Sequence, residues 1–287
     1  MVEAETISVA HSPDSDDAFM FYALAEGRVE TEGLSFRHEL SDIESLNLRA
    51  MTGELAVTAV SFHAYAHLSD RYLLLPHGAS FGDGYGPVVV GRSRIERDEI
   101  ASGRLPVGSP GDWTTAALAL RLWAPGVRTR RFRFDAIEKA VAAGEVPAGV
   151  LIHEGQLTFQ DAGLTEIVDL GRWWKEETGL PLPLGGNVVR RDLGADRIGR
   201  ISRALSRSIE YGLEHRDEAL DHALRYARGL DRERADRFVG MYVNAWTRGY
   251  GVTGRRAVQT LLDRAHEAGL TPKVTAEYAD ETVGGRR

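Results

Sequence analysis

Gly86-Pro87-Val88-Val89-Val90-Gly91 and Gly185-Gly186-Asn187-Val188-Val189 are two short apolar runs, far apart in the chain and each bordered by glycine. Both read as buried β-segments, because β-branched residues suit a strand and glycine marks its ends. Between them strands and helices alternate, and the same alternation fills the residues before the first run, which is the α/β signature. The order implies two lobes joined by two crossing strands at a hinge. Residues 1–91 with 190–287 form a discontinuous first lobe that carries the C-terminal helices, and residues 92–189 form an inserted second lobe. A single continuous domain is the competing arrangement. In the two-lobed one, ligands sit in the cleft between lobes, at strand ends and helix N-termini.

Upstream of the first run, Ile7–Ala10 reads as a strand. It leads into Ser12-Pro13-Asp14-Ser15-Asp16-Asp17, a turn dense in N-cap residues, and a helix over 16–26. Asp42 is placed to cap a helix with Ile43, Leu46 and Ala50 inward, and Leu55–Val60 is a strand reaching Ser61. In the inserted block, Leu105–Gly108 reads as a strand, Ser109-Pro110-Gly111-Asp112 as a turn and Trp113–Trp123 as a helix. Phe132–Phe134 reads as a strand, Asp135 as the cap of a helix through Ala143, and Gly149–Ile152 as a strand with His153 at its C-terminal end. Ile167–Leu170 is a further strand and Trp173–Glu177 one helical turn. After Val189 the apolar spacing becomes helical: Ile198, Ile201, Leu205, Ile209 and Leu213, then Phe238, Val239, Tyr242, Val243 and Trp246, then Val258, Leu261, Leu262 and Ala265.

The 287 residues are 43% hydrophobic and 27% charged, which suits a globular chain with a real core and excludes disorder and coiled coil. No apolar run approaches the ~20 residues that span a bilayer. The start, MVEAETISVA, has neither a basic nor an apolar signal region, so a cytoplasmic location and no membrane partner are expected. With no cysteine, disulfides, thiolate metal sites and a cysteine nucleophile are excluded. Acidic residues outnumber basic ones 42 to 35, which argues against a nucleic-acid partner. The pattern specifies no oligomeric state.

Cofactor motifs are missing. There is no Walker A sequence, and Gly82-Asp83-Gly84-Tyr85-Gly86 precedes a strand rather than a helix, unlike a dinucleotide fingerprint. There is no Gly-x-Ser-x-Gly elbow. His153-Glu154-Gly155-Gln156-Leu157 is not the zinc-protease motif, and His63 and His67 lack an obvious third ligand. No metal and no cofactor are expected.

Three features bear chemistry. His153 ends a buried strand, where a group titrating near neutrality can take and return a proton. Thr114 and Thr115 open a helix, whose free N–H groups and positive dipole end suit a carboxylate. The acidic turn at Asp14–Asp17 repels an anion but accepts hydrogen bonds from hydroxyls. Each feature also has an ordinary structural reading: a hydrogen-bonded histidine, a capping threonine and an N-cap.

At these residues the chain resembles the 1,4-dihydroxy-6-naphthoate synthases of the futalosine route to menaquinone. The resemblance is carried by Ser12-Pro13 through Asp17 with Phe21-Tyr22-Ala23-Leu24, by Glu44 with Leu46-Asn47, by Ser61 with Ala64-Tyr65-Ala66, and by Thr114-Thr115. It continues through Leu151-Ile152-His153-Glu154, Thr178-Gly179-Leu180-Pro181-Leu182-Pro183-Leu184-Gly185 and Tyr242-Val243-Asn244-Ala245, nearly the whole chain. The family implies a two-lobed fold like type II periplasmic binding proteins, with an interlobe cleft. It implies a cofactor-free lyase that splits cyclic dehypoxanthinylfutalosine into 1,4-dihydroxy-6-naphthoate and a sugar-derived fragment, so the partner is a small aromatic carboxylate. By position, His153 is the general base, and Ala59, Val60, Ser61, Thr114, Thr115, Ala116, Asn47 and Asp17 bind substrate. Family members often read Cys-Pro-Asn-Asp where this chain has Asp14-Ser15-Asp16-Asp17, and often carry a lysine where Ala59 stands. The sister chorismate dehydratases share the fold but end the strand in Gly-Asp rather than His153-Glu154. A binding protein or sensor without catalysis is the alternative from another class, and turnover separates the two.

Overall fold

The structure, a computed structural model, describes residues 5–226 and 231–280. Its strands, in chain order, are β1 (Glu5–His11), β2 (Leu34–Leu40), β3 (Val57–Ser61), β4 (Tyr72–Leu74), β5 (Ser80–Gly82), β6 (Val88–Gly91), β7 (Val107–Ser109), β8 (Thr129–Arg131), β9 (Ala148–Leu151), β10 (Thr165–Asp169) and β11 (Leu182–Arg190). They form two sheets. The first has the order β2-β1-β3-β11-β4, with β5 also on β11; the second has the order β10-β6-β9-β7-β8. This is the two-lobed α/β architecture expected from the alternation.

In the first sheet β1 is parallel to both β2 and β3. Parallel neighbours need crossovers, and the helices Ser15–Ala25 and Ile43–Met51 supply them. β3 is buried along its whole length and pairs on its other side with antiparallel β11, Gly185 facing Ser61 and Asn187 facing Ala59. The helix Ala195–Glu214 packs on Ser15–Ala25, where the Ser208 hydroxyl donates to the Met20 carbonyl at 2.8 Å. One apolar cluster runs from Val60 and Phe62 through Leu118 and Val150 to Trp174, so the two sheets share a core. Among the described residues no helix is long and apolar enough to cross a membrane.

The two runs that were read as hinge strands each belong to a single sheet. Val88–Gly91 pairs with β9 on one side and β10 on the other, wholly within the second sheet. Val88–Val90 are buried on both faces and need a neighbour on each edge, which only the inner position supplies. Leu182–Arg190 lies wholly in the first sheet. The passages between sheets therefore fall at residues 83–87 and 170–181, earlier than the expected limits at 91 and 189. They cross in contact: a Cβ on Gly171 would lie 1.8 Å from the Tyr85 carbonyl oxygen, so only glycine fits there.

Three local expectations also shift. Phe132–Phe134 is not a strand; β8 ends at Arg131, and Phe134–Ala136 is a 3₁₀ turn before the helix Ile137–Ala142. Asp135 pairs with Arg133 at 2.8 Å instead of capping, and Phe134 turns its ring onto His153. The single turn at Trp173 is a full helix, Leu170–Thr178, because Asp169 accepts from the Gly171 and Arg172 N–H groups, and Gly179 at φ 70° ends it.

Candidate functional site

A cleft lies between the lobes. It is lined from the first lobe by Ala59, Val60 and Ser61 at the end of β3 and by Asp16 and Asp17. Thr114, Thr115 and Ala116 from the second-lobe helix, and His153 after β9, complete the set expected from sequence. Asn47 is the exception. It is fully buried behind Ser61, where its Oδ1 accepts from the Ser61 N–H at 2.9 Å and its Nδ2 donates to the Ser61 hydroxyl at 3.2 Å. Asn47 therefore aims Ser61 rather than lining the cleft.

His153 takes a left-handed backbone, φ 52°, which a non-glycine residue adopts only when its surroundings hold it there. This turn brings Nδ1 to 3.2 Å from Oδ2 of Asp14, whose side chain is 2% exposed, while the histidine side chain keeps 17% exposure to the cleft. A carboxylate at Nδ1 selects the tautomer protonated there and leaves Nε2 as an acceptor. The Phe134 ring meets the imidazole edge-on at 5.0 Å.

The acidic turn is ordered by its own backbone. Asp17 Oδ2 accepts from the Ser12 N–H at 2.8 Å, and the Ser12 hydroxyl accepts from the Asp14 N–H at 3.2 Å. Burial pushes the Asp17 carboxyl up to about 6. Asp16 is pushed well above the usual carboxylate range, first by burial and then by the charges of Asp17, Asp14 and Glu154.

At the helix start the two threonine hydroxyls are already committed. Thr114 Oγ1 accepts from the Ala117 N–H and donates to the Gly111 carbonyl, both at 3.1 Å. Thr115 Oγ1 donates to the Leu184 carbonyl at 2.6 Å and accepts from the His63 N–H at 3.3 Å. For an incoming anion the first turn therefore presents the Thr115 and Ala116 N–H groups rather than hydroxyls. None of the residues lining the cleft is lysine or arginine.

Three participants escaped sequence reasoning: Asp14 as the histidine's partner, Gln156 and Tyr242. The Tyr242 hydroxyl donates to Gln156 Oε1 at 2.6 Å across the lobes, and burial pushes its phenol well above the usual range. The Asp14–Asp17 turn had announced itself by its charge; Gln156 carried no signal. His63 and His67, spaced like metal ligands, both pack on Trp113, with ring centroids at 5.8 and 5.0 Å.

The profile of a family described as menaquinone biosynthesis matches residues 7–267. A protein of Thermus thermophilus named 1,4-dihydroxy-6-naphthoate synthase is 43% identical over 266 residues, covering 93% of this chain and 96% of that protein. One of Streptomyces coelicolor with the same name is 37% identical over 277 residues, covering 94% and 96%. A crystal structure from Archaeoglobus fulgidus superposes with a TM-score of 0.88 at 48% identity, over 92% of this chain and 98% of that one. The alkanesulfonate-binding protein SsuA of Xanthomonas axonopodis shares the fold at only 12% identity, with a TM-score of 0.69 over 96% and 98% of the two chains. The fold is thus that of periplasmic binding proteins, and the sequence matches run nearly end to end through the residues that build the cleft: the chain belongs to the menaquinone biosynthesis family.

Proposed function

We propose that the protein is a 1,4-dihydroxy-6-naphthoate synthase, a cofactor-independent carbon–carbon lyase acting on cyclic dehypoxanthinylfutalosine, with His153 as the proton acceptor. The observation that carries the reading is the pairing of cleft-exposed His153 with buried Asp14 at the mouth of the cleft, 3.2 Å apart. The names of the relatives support the substrate class. Release of the sugar-derived fragment leaves an aromatic naphthalenoid ring, which favours the product. The enzyme's task is to remove a proton from the sugar-derived part and to hold the substrate oxygens. Nε2 of His153 takes that proton, and Asp14 steadies the imidazolium that forms. The ring carboxylate lies against the Thr115 and Ala116 N–H groups, at the positive end of the helix Thr115–Trp123. The Ser61 hydroxyl, held by Asn47, donates to a second substrate oxygen.

The test is His153→Ala. Loss of a general base costs about 100- to 10,000-fold, so turnover falls by that order while product binding persists. Near wild-type turnover in that variant would remove His153 from the role. A wild-type protein that binds the cyclic substrate and returns it unchanged would be a sensor.

A further inference from the structure

Four carboxyl groups crowd one side of the cleft: Asp14, Asp16, Asp17 and Glu154. Asp14 is engaged by His153 and Asp17 by the Ser12 N–H. Asp16 stands apart. It is 9% exposed, it lines the cleft, and its Oδ1 is buried with no hydrogen-bond partner among the described residues. A buried polar atom left unpaired costs stability, and a fold keeps such an atom where something outside the chain completes it. Surrounded by three other carboxyls, Asp16 holds its proton more tightly than an ordinary carboxylic acid. The protonated group has one O–H donor and further acceptor capacity, the complement of a hydroxyl or carbonyl, and it is poorly suited to an anion.

The other polar subsite lies elsewhere in the sheet. Thr115 is tied to Leu184 on β11, while the acidic turn follows β1, and these strands flank β3 on opposite sides. One side of the cleft therefore offers N–H donors at a helix start, and the other offers a carboxyl group beside the proton acceptor.

We propose that Asp16 is the specificity contact for the hydroxyl-bearing, non-aromatic end of the substrate, so that the cleft admits its ligand in one direction only. The carboxylate sits at Thr115 and Ala116, and the sugar-derived hydroxyls sit at Asp16, beside His153. A reversed ligand would bring its carboxylate against Asp14 and Asp17 and be repelled. This rests on the reading of the substrate given above and adds which end of it Asp16 reads.

The experiment compares Asp16→Ala and Asp16→Asn with wild type on two ligands: the cyclic substrate and the 1,4-dihydroxy-6-naphthoate product, which lacks the sugar-derived part. Asp16→Ala raises KM for the substrate about 10- to 100-fold, the loss expected for a buried hydrogen bond, and leaves the product Kd within about twofold. Asp16→Asn, with a donor and an acceptor of the same shape, recovers most of the loss. Equal loss for both ligands, no loss for either, or an Asn variant as poor as Ala each overturns the assignment. If wild type binds the cyclic substrate without turnover, the lyase reading fails, and the same ratio of affinities, read by calorimetry, still decides the role of Asp16. Binding of neither ligand by wild type overturns both.

Discussion

Asp14 shows how much one side chain decides. A neutral side chain in its place would not fix an imidazole as a carboxylate does. The Oδ2 atom 3.2 Å from His153 Nδ1 makes Asp14 a positioning residue for the proposed base. Asp14→Asn can turn an amide N–H toward Nδ1, which moves the ring proton to Nε2 and blocks the acceptor. We expect kcat to fall roughly 10- to 100-fold with KM and product affinity unchanged, a smaller loss than His153→Ala causes. Steady-state kinetics with a product titration checks the split; a rise in KM without loss of kcat would show that Asp14 contacts substrate instead.

At the scale of the element, the helix Thr115–Trp123 has two tasks at one end. Thr114 caps it, and Thr115 anchors it to the other lobe through the Leu184 carbonyl at 2.6 Å. In the proposed site the threonines therefore shape the helix start without offering their hydroxyls to an anion. Thr115→Val leaves the Leu184 carbonyl unpaired and should destabilise the protein by about 1–3 kcal/mol, while the N–H groups keep product affinity within about threefold. Thermal melts and calorimetry on that variant separate the two effects. A product Kd that worsens far more than stability would return the hydroxyl to the ligand. A second anchor of similar kind is Glu44, which is 2% exposed on the helix Ile43–Met51 and accepts from the N–H groups of Asp112 at 2.8 Å and Trp113 at 3.1 Å. First-lobe carboxylate thus occupies the donors just before the helix.

For the whole molecule, the buried histidines set an acid limit. His11, His38, His63 and His77 are each held down to about 4, chiefly by burial. Their unfolded value is near 6.5, so the stability they contribute is complete above that pH and is lost as pH falls from 6.5 toward 4. Asp17, raised to about 6, and Asp16, raised further, work in the opposite sense: the folded state takes up their protons first and gains stability as pH falls toward the unfolded carboxyl value. Glu44 and Asp169 are also raised by burial, and His67 and His222 are also lowered by it. A well-buried histidine such as His77 contributes up to roughly 3 kcal/mol, and the six lowered histidines outnumber the four raised carboxyls, so the net effect is acid destabilisation. We expect Tm to drop between pH 6.5 and pH 4.5, with a shallower drop in His77→Gln. A Tm that is flat or rises over that range would show that the carboxyls dominate.

What the sequence determined by itself was local. The alternation of strand and helix, the cap at Asp42, a helix start at Thr114–Thr115 and a histidine just beyond a short apolar strand are all consequences of chemistry within a few residues, and the described structure keeps each of them, though the helix begins at Thr115 rather than Trp113 and the strand ends at Leu151. Partner choice was not local. Val88–Gly91 lies inside the second sheet because both of its edges find strands there. Asn47 went beneath Ser61 because a buried amide needs its hydrogen bonds met, and the Ser61 N–H and hydroxyl are what β3 brings within reach. The threonine hydroxyls turned inward for the same reason. The meeting of Asp14 with His153 depends on two lobes folding so that one turn from each faces a shared cleft, and no spacing along the chain encodes that distance.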